Sequence, residues 1–531
     1  MPTHDVFNQV PPLADYDLAG ADPLLLPLVE KEAPLAAKSI SEFGSEVANS
    51  EGYSLGFAAN ENPPQLRSHD RLGNRTDIVE FHPAWHELLR RSVDRGLHSL
   101  PWEEGAAPGS HLARTALAFL ASQIEAGHFC PISMTYAVIP ALRQQPDLAS
   151  WWEPKIVSRH YDPKFAPPSE KQGLLLGMGM TEKQGGSDVR AGTTQAVPAG
   201  EGYLITGHKW FTSAPMNDAF LILAQTSQGL TTFLLPRHRP DGSVNQIRLM
   251  RLKDKLGNRS NASAELEFEG AWAERIGEEG RGVATIIEMV NGTRLDCVTG
   301  SAALMRQAVS QAIHHARHRH AFGSALIDKP AMVNVLADLE VETEAAVALM
   351  LRLATCFDRS DDPQEVALRR ILTPLAKFLV TKRCTGVVHE ALECLGGNGF
   401  VEESILPLLL RESPLNAIWE GSGNVIALDV LRAARTHPDA VEALRAELAK
   451  SSVGGEALAD ELVRASEGEA RRVAETVGMH VQAGLLVENA SPEVADAFVS
   501  SRIEGANNSR LYGTLPFHQG LSAIVERAIP A

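Results

Sequence analysis

Cysteine is scarce in this 531-residue chain, and its five cysteines (Cys130, Cys297, Cys356, Cys384 and Cys394) are widely spaced with no CxxC pair. An odd, scattered set excludes a disulfide framework or a zinc ribbon and fits a reducing cytosol. Long apolar runs are missing too. Stretches such as 173–180 are far too short to span a bilayer, and Met1-Pro2-Thr3-His4-Asp5 leads into no apolar signal segment. Basic residues are outnumbered, 49 Lys and Arg against 66 Asp and Glu, for a net charge of −17. Such a surface repels phosphate polyanions on average and disfavours generic coating of DNA or RNA. Neither GxGxxG nor a Walker A sequence occurs, so nicotinamide-dinucleotide and P-loop chemistry lose their best support. There is no HExxH, and the run His314, His315, His318, His320 has no carboxylate or cysteine at ligand spacing, so no metal is expected. What is present is an ordinary globular composition, 44% hydrophobic and 22% charged. The length suits about three or four domains. These features predict a large, acidic, cytoplasmic enzyme with no membrane partner.

The chain changes character along its length. Residues 1–75 are proline-containing and weakly periodic, as at Val10-Pro11-Pro12 and Asn62-Pro63-Pro64. Helix spacing then predicts helices over 86–97 and 109–127. From 173 to 282 come short β-branched and aromatic runs at 202–205, 220–225, 231–235, 247–252 and 264–268, with Arg239-Pro240-Asp241-Gly242 as a turn. Strands with turns and no intervening helices predict an antiparallel β domain. From 283 the helical period returns, with stripes at Met305, Ala308, Ala312, Ala316 and at Met332, Val335, Leu336, Leu339. A third pattern over 366–395 stops at Gly396-Gly397 and is expected to kink or split at Pro374. Residues 440–531 read as further helix and a loosely patterned tail. The expected fold is α+β, mainly α. Its parts are an N-terminal extension and helical domain (1–172), a central β domain (173–282), a helical bundle (283–438) and an additional helical domain (439–531).

Four segments carry chemistry. In Met180-Thr181-Glu182-Lys183-Gln184-Gly185-Gly186-Ser187-Asp188 the glycines allow close backbone approach, and Thr181 and Ser187 can donate to carbonyls or phosphates; an ordinary turn has the same composition. Gly207-His208-Lys209-Trp210-Phe211-Thr212-Ser213 suits a flat heteroaromatic ligand, or equally aromatic core packing. Arg319-His320-Ala321-Phe322-Gly323 ends a helix with a guanidinium that could pair with a phosphate, while a solvated helix end also favours cations. Ile418-Trp419-Glu420-Gly421-Ser422-Gly423-Asn424 sets a carboxylate beside tryptophan before a helix over 425–434. The aromatic wall suits a general base acting on a weak carbon acid; a helix-start glutamate without catalytic duty fits the same residues.

Taken in order, residues 180–188, 207–213, Asp254-Lys255-Leu256-Gly257-Asn258-Arg259, 319–323, and Gly396-Gly397-Asn398-Gly399-Phe400 with 419–423 resemble the acyl-CoA dehydrogenase family of flavoproteins. The resemblance covers about residues 80–435. Phe81-His82-Pro83-Ala84-Trp85, the 178–188 segment, 252–263, 418–424 and the added C-terminal segment resemble the AidB, or alkylation-response, branch. The resemblance implies FAD held between the β domain and the bundle, with a neighbouring subunit of a homotetramer completing the site. It places Met180, Thr181 and Ser187 along the flavin and the acyl-CoA, and Phe211, Thr212 and Ser213 at the isoalloxazine. Arg319 and Phe322 would hold the pyrophosphate and adenine side. Gly396 and Gly397 would admit the cofactor to the backbone, and Trp419, Gly421, Ser422 and Asn424 would contact it around Glu420. The implied reaction removes the α-proton of an acyl-CoA with Glu420 while the β-hydride moves to the flavin, electrons then passing to an unidentified acceptor. The alternative implied by the AidB branch is a flavoprotein that binds DNA and protects it from alkylation, with weak dehydrogenase activity.

Three departures from the family pattern stand out. Glu393 occupies a place near the FAD pyrophosphate where glutamine is usual, so its carboxylate must be paired or turned away. Trp419 replaces a smaller neighbour of the base and would narrow the acyl pocket. Residues 440–531 hold eight Lys or Arg against thirteen Asp or Glu, net −5, a poor footprint for DNA. A small patch from Arg471, Arg472, Arg502 and Arg510 is the remaining basic candidate there. The denser run Arg248, Arg251, Lys253, Lys255, Arg259 reads as a strand edge or a CoA-phosphate contact.

Overall fold

The computed structural model describes residues 3–505, 511–516 and 520–530. It divides into two compact units: Met1–Tyr53, Ala107–Ile124 and Arg294–Ala531 in one, Ser54–Ala106 and Glu125–Thr293 in the other. The weakly periodic start is more ordered than its sequence suggests, with α1 (Leu25–Glu32), α2 (Ala37–Val47) and α3 (Ser50–Glu61). Ile40, Phe43, Gly44 and Val47 make a true helical stripe on α2, one that the neighbouring prolines and small residues obscure. A hairpin that was not anticipated follows, β1 (Gln65–His69) with β2 (Arg75–Glu80). The two expected helices are α4 (Pro83–Asp94) and α5 (Ser110–Ile124); α6 (Phe129–Leu142) and α7 (Pro146–Ile156) complete this stretch.

The strands of the second unit are β3 (Leu176–Gly179), β4 (Gln195–Ala199), β5 (Gly202–Ser213), β6 (Ala219–Thr226), β7 (Gly229–Pro236), β8 (Ile247–Leu252) and β9 (Ser263–Ile276). Among the described residues they form a seven-stranded sheet in the order β3-β6-β4-β5-β9-β7, with β8 on β9 and β6 also on β7. The five expected strands are all present. The antiparallel expectation needs one correction, because β3 runs parallel to β6, Leu176 opposite Ala219. Buried Asp218 enforces this: it accepts from Leu175 N at 2.9 Å and Lys171 Nζ at 2.6 Å, holding the start of β3 beside the start of β6. Both faces of β6 and β7 are buried, so they read as continuous apolar runs. Phe220, Ile222, Phe233, Leu266 and Phe268 centre the core. Beside it lies a buried line in which Ser92 Oγ is 3.0 Å from His128 Nε2 and His128 Nδ1 is 3.0 Å from Glu125. Glu125 also accepts from Ser260 and from two backbone amides, so this line is an internal brace.

Helices dominate from there on. They begin with α8 (Gly282–His318), the small hairpin β10 (His320–Ala321) and β11 (Ser324–Ala325), α9 (Pro330–Asp358) and α10 (Pro363–Cys394). Next come α11 (Gly397–Phe400), α12 (Leu406–Glu412), α13 (Gly423–Thr436) and α14 (Pro438–Leu448), then α15 (Ala457–Arg464), α16 (Ala470–Asn489), α17 (Pro492–Phe498) and α18 (Gly520–Arg527). The expected split at Pro374 does not occur: α10 continues through it. Packing against α9, α13, α14 and α16 along its length outweighs the one hydrogen bond that proline removes.

α9 buries a row of carboxylates, Asp338, Glu340, Glu342 and Glu344, each about 1% exposed or less. Arginines converge on it from other elements. Arg306 of α8 takes Glu340 through two nitrogens at 2.6 and 2.9 Å and Asp22 at 2.8 Å. Arg383 of α10 pairs with Glu342, Arg502 with Asp338, and Arg527 of α18 with Glu344. The Arg471, Arg472, Arg502 and Arg510 patch is therefore not what the fold builds. Arg502 is interior, Arg472 pairs with Glu461 and Glu469, Arg471 donates to Asn424, and Arg510 lies outside the described residues. Arg502→Met leaves Asp338 buried without its cation and is expected to destabilise the fold by about 3–5 kcal/mol, read as a lower denaturant midpoint.

Candidate active site

In the β unit, the first two predicted segments are held together by a buried ion pair. Lys209 Nζ lies 2.8 Å from Glu182 Oε1 and 2.8 Å from Leu223 O. The other oxygen of Glu182 accepts from Thr193 N at 2.7 Å and Gln184 Nε2 at 2.8 Å. Burial opposes ionisation, but the Lys209 ammonium and the threonine donors prevail and keep the Glu182 carboxyl well below its ordinary value. Trp210 N donates to Thr181 O at 2.8 Å, so residues 180–182 lie along β5. Met180 and Thr181 are half-buried and Ser187 is exposed. Gly186 packs on Thr181, where any side chain would come within 2.3 Å of its Oγ1.

The aromatic pair divides. Trp210 lies under Lys253, whose Nζ is 3.3 Å from the ring centroid, while Lys253 and Arg251 both pair with Glu265 at 2.5 Å. Phe211 is 52% exposed, and Ser213, two residues on, is half-buried. Thr212 is fully buried, and its Oγ1 has no hydrogen-bond partner among the described residues. Ser213 Oγ lies 3.5 Å from Ser263 Oγ, which accepts from Lys255 Nζ at 3.1 Å. Four of the five residues of the basic run engage nearby acceptors, Arg248 pairing with Glu269 and Lys255 also donating to Asn261 O, while Arg259 is exposed.

In the helical unit, Arg319 follows α8 and donates to Asn8 O, and the Asn8 side chain binds both backbone groups of His320. The hairpin turn that follows puts Phe322 at φ 52° with its ring 97% exposed. His314 Nε2 contacts Pro11 O at 2.8 Å, and no cluster suited to a metal occurs among the described residues. Gly396, at φ 59°, and Gly397 face open space where a Cβ would stand. Glu393 is exposed, turned away from the interior.

The Glu420 loop is the most constrained segment. Glu420 has φ 57° and Gly421 φ 104°, a left-handed pair uncommon for a glutamate. Three successive carbonyls are taken by two cations. Lys377 Nζ donates to Trp419 O at 2.9 Å and Gly421 O at 2.5 Å, and Arg294 Nε to Glu420 O at 3.2 Å. Asp429 of α13 anchors Arg294 at 2.7 Å. Trp419 Nε1 donates to Asn416 Oδ1 at 2.9 Å, which fixes the indole. Ser422 is the N-cap residue of α13, so Glu420 precedes the helix by more than the first-turn position expected of it. Ser422 and Asn424 are exposed at that end. Sequence reasoning missed Lys377, Arg294 and the Glu182–Lys209 pairing. A lysine set within Leu375-Ala376-Lys377-Phe378-Leu379 was the available signal for the first.

Three domain families match the chain: the adaptive response protein AidB N-terminal domain over residues 8–163, the acyl-CoA dehydrogenase middle domain over 177–271 and the acyl-CoA dehydrogenase C-terminal domain over 280–434. The chain is 44% identical over 520 residues to AidB of Escherichia coli K12, covering 96% of each. It is 34% identical over 422 residues to acyl-CoA dehydrogenase family member 11 of Caenorhabditis elegans, covering 76% of this chain and 68% of that protein. The crystal structure of Caenorhabditis elegans ACDH-11 in complex with C11-CoA superposes with a TM-score of 0.84 at 28% identity, over 99% of this chain and 93% of that one. Butyryl-CoA dehydrogenase of Megasphaera elsdenii shares the fold, with a TM-score of 0.57 at 21% identity over 65% of this chain and 89% of that one.

Because the Glu182 carboxyl is depressed below the ordinary 4.5, its pairing stabilises the fold above that pH and is lost as pH falls further. Glu182→Gln leaves Lys209 buried without its anion, so thermal melts are expected to show lower stability at neutral pH, by about 3–5 kcal/mol. The same melts should show a shallower loss below pH 4.5 than wild type.

Proposed function

Since the chain belongs to the acyl-CoA dehydrogenase family, in its AidB-like branch, we propose that it is an FAD-dependent acyl-CoA dehydrogenase whose catalytic base is Glu420. The observation that carries this reading is the Glu420 loop. A carboxylate stands beside an indole on a backbone held at three carbonyls by buried cations, a rigid mount for proton abstraction.

The residues present fit FAD. Gly396 and Gly397 leave room at the backbone for a diphosphate, Arg319 adds a guanidinium, and Phe322 offers an uncovered ring to an adenine. On the β unit, outward Phe211 and the Ser213 hydroxyl suit the isoalloxazine, with Met180, Thr181 and Ser187 along the same segment. Thr212 faces inward and acts through the backbone of β5. Ser422 and Asn424, exposed before and within the first turn of α13, would meet the cofactor beyond the base. When bound, FAD supplies the acceptor for the β-hydride. Glu420 takes the α-proton, Trp419 closes one side of the acyl pocket, and the pinned carbonyls keep the carboxylate from swinging away. The C11-CoA bound by ACDH-11 supports a CoA thioester as the substrate class.

We further propose a homotetramer, as the resemblance to the family implies, with the exposed Phe322 hairpin open to a neighbouring subunit or to the cofactor. The four-part division 1–172, 173–282, 283–438 and 439–531 is retained as the functional organisation. Against the DNA-binding alternative stand the net −5 of residues 440–531 and the engagement of two of the candidate patch arginines, Arg472 and Arg502, with the protein's own carboxylates.

Anaerobic addition of short, branched and long acyl-CoAs to the holoenzyme is expected to bleach the flavin. Glu420→Gln should slow that bleaching by about 100-fold or more while FAD is retained. No bleaching of wild-type enzyme by any thioester removes the substrate class. Light scattering is expected to give a mass near four 57.4 kDa chains.

A further inference from the structure

Lys377 is 1% exposed, in the middle of α10. An ammonium there has three donors and little water, and two of its donors go to the carbonyls on either side of Glu420. Neither contact is made with a side chain, so the lysine reads the path of the loop. That path is the unusual one, since Glu420 and Gly421 both hold positive φ. Rotating the Trp419–Glu420 or the Gly421–Ser422 peptide out of this conformation would take one of the two acceptors from the buried ammonium.

The charged and titratable groups that act on Lys377 are few. Arg294 of α8 and Lys382 of α10 oppose its ammonium, while the Cys297 thiol of α8 and Glu420 favour it. Asp296 lies beside Cys297 and pairs with Arg114, and Asp429 pairs with Arg294 and Arg432. Burial pushes the Cys297 thiol up to about 12, so among these groups the Glu420 carboxyl is the one able to offer Lys377 a full opposite charge. Burial pulls the lysine down from its ordinary value, and Cys297 and Glu420 oppose this.

We propose that Lys377 is the positioning residue of the catalytic base: it locks the 419–421 backbone in its left-handed form and holds Glu420 as the anion that accepts a proton. The inference rests on the reading of Glu420 as base. It assigns to one lysine both the geometry and the charge state of Glu420.

The test uses FAD-loaded holoenzyme carrying Lys377→Met, Lys377→Gln or Lys377→Arg. Two readouts follow pH: the rate of flavin bleaching by an acyl-CoA, and the Glu420 carboxyl band, taken as the infrared difference between each enzyme and its Glu420→Gln counterpart. In the uncharged variants both titrations are expected to move to higher pH by about one unit, a tenfold change in acidity, because a cation beside the carboxylate is lost. Turnover should fall while KM changes little, and Lys377→Arg should return the titrations towards wild type. An FAD-retaining uncharged variant that bleaches slowly but titrates as wild type shows a packing role alone and overturns the proposal. Should Lys377→Met not retain FAD, Lys377→Gln, which keeps an uncharged amide donor group, carries the same test. Loss of FAD in all three variants, Lys377→Arg included, overturns it too. If no acyl-CoA bleaches the wild-type flavin, the proposed function fails, and the infrared titration still decides this point.

Discussion

A charge removed from water has to find a partner, and this constraint arranges much of the molecule. The carboxylate row of α9 can exist in the interior only because α8, α10 and the C-terminal segment each send an arginine to it. The segment beyond α13 is therefore tied to the bundle by interior ion pairs as well as by apolar packing. Its cations divide: Arg502 and Arg527 reach the interior carboxylates, while Lys450, Arg464, Arg471 and Arg472 stay exposed among the surplus anions. A sequence-level count of charge sees the surplus but not where the cations point.

The same constraint operates at the candidate segments within each unit. In the β unit, Lys209 and Glu182 bind two segments that sequence treats as separate motifs, so that the glycine-containing loop and the aromatic strand form one surface. In the helical unit, Lys377 and Arg294 act on backbone carbonyls. A left-handed glutamate stores conformational strain of about 1–3 kcal/mol, which surrounding contacts must offset. Charge-assisted hydrogen bonds from buried cations are of the right strength to do so, about 1.5–3 kcal/mol each. Glu420 is thus mounted by elements distant in sequence, not by its own loop.

Particular residues show where sequence reasoning succeeds. The alternation at 247–252 and the continuous apolar runs at 220–225 and 231–235 appear as strands because period and burial agree. It fails where local signals are weak or overruled. The stripe of α2 lies among prolines and small residues, the parallel pairing of β3 depends on a buried aspartate forty-two residues downstream of Leu176, and Pro374 is overruled by packing on every side of α10. Among the site residues, Phe211 and Thr212 are adjacent and equally plausible as ligands. Only the strand's pleat, with its local bulge, sends one outward and the other inward.

The sequence by itself determined the family and the order of helical and β segments, and it named the candidate residues for chemistry, because these follow from residue type and short-range spacing. Tertiary structure alone decided which charges are interior, which aromatic faces outward and what holds Glu420 in place. Those outcomes depend on groups far apart in the chain, such as Lys377 and Trp419 or Arg502 and Asp338, meeting where water is absent. Burial is what turns a scattered set of ionic residues into specific pairs, and burial is a property of the folded chain.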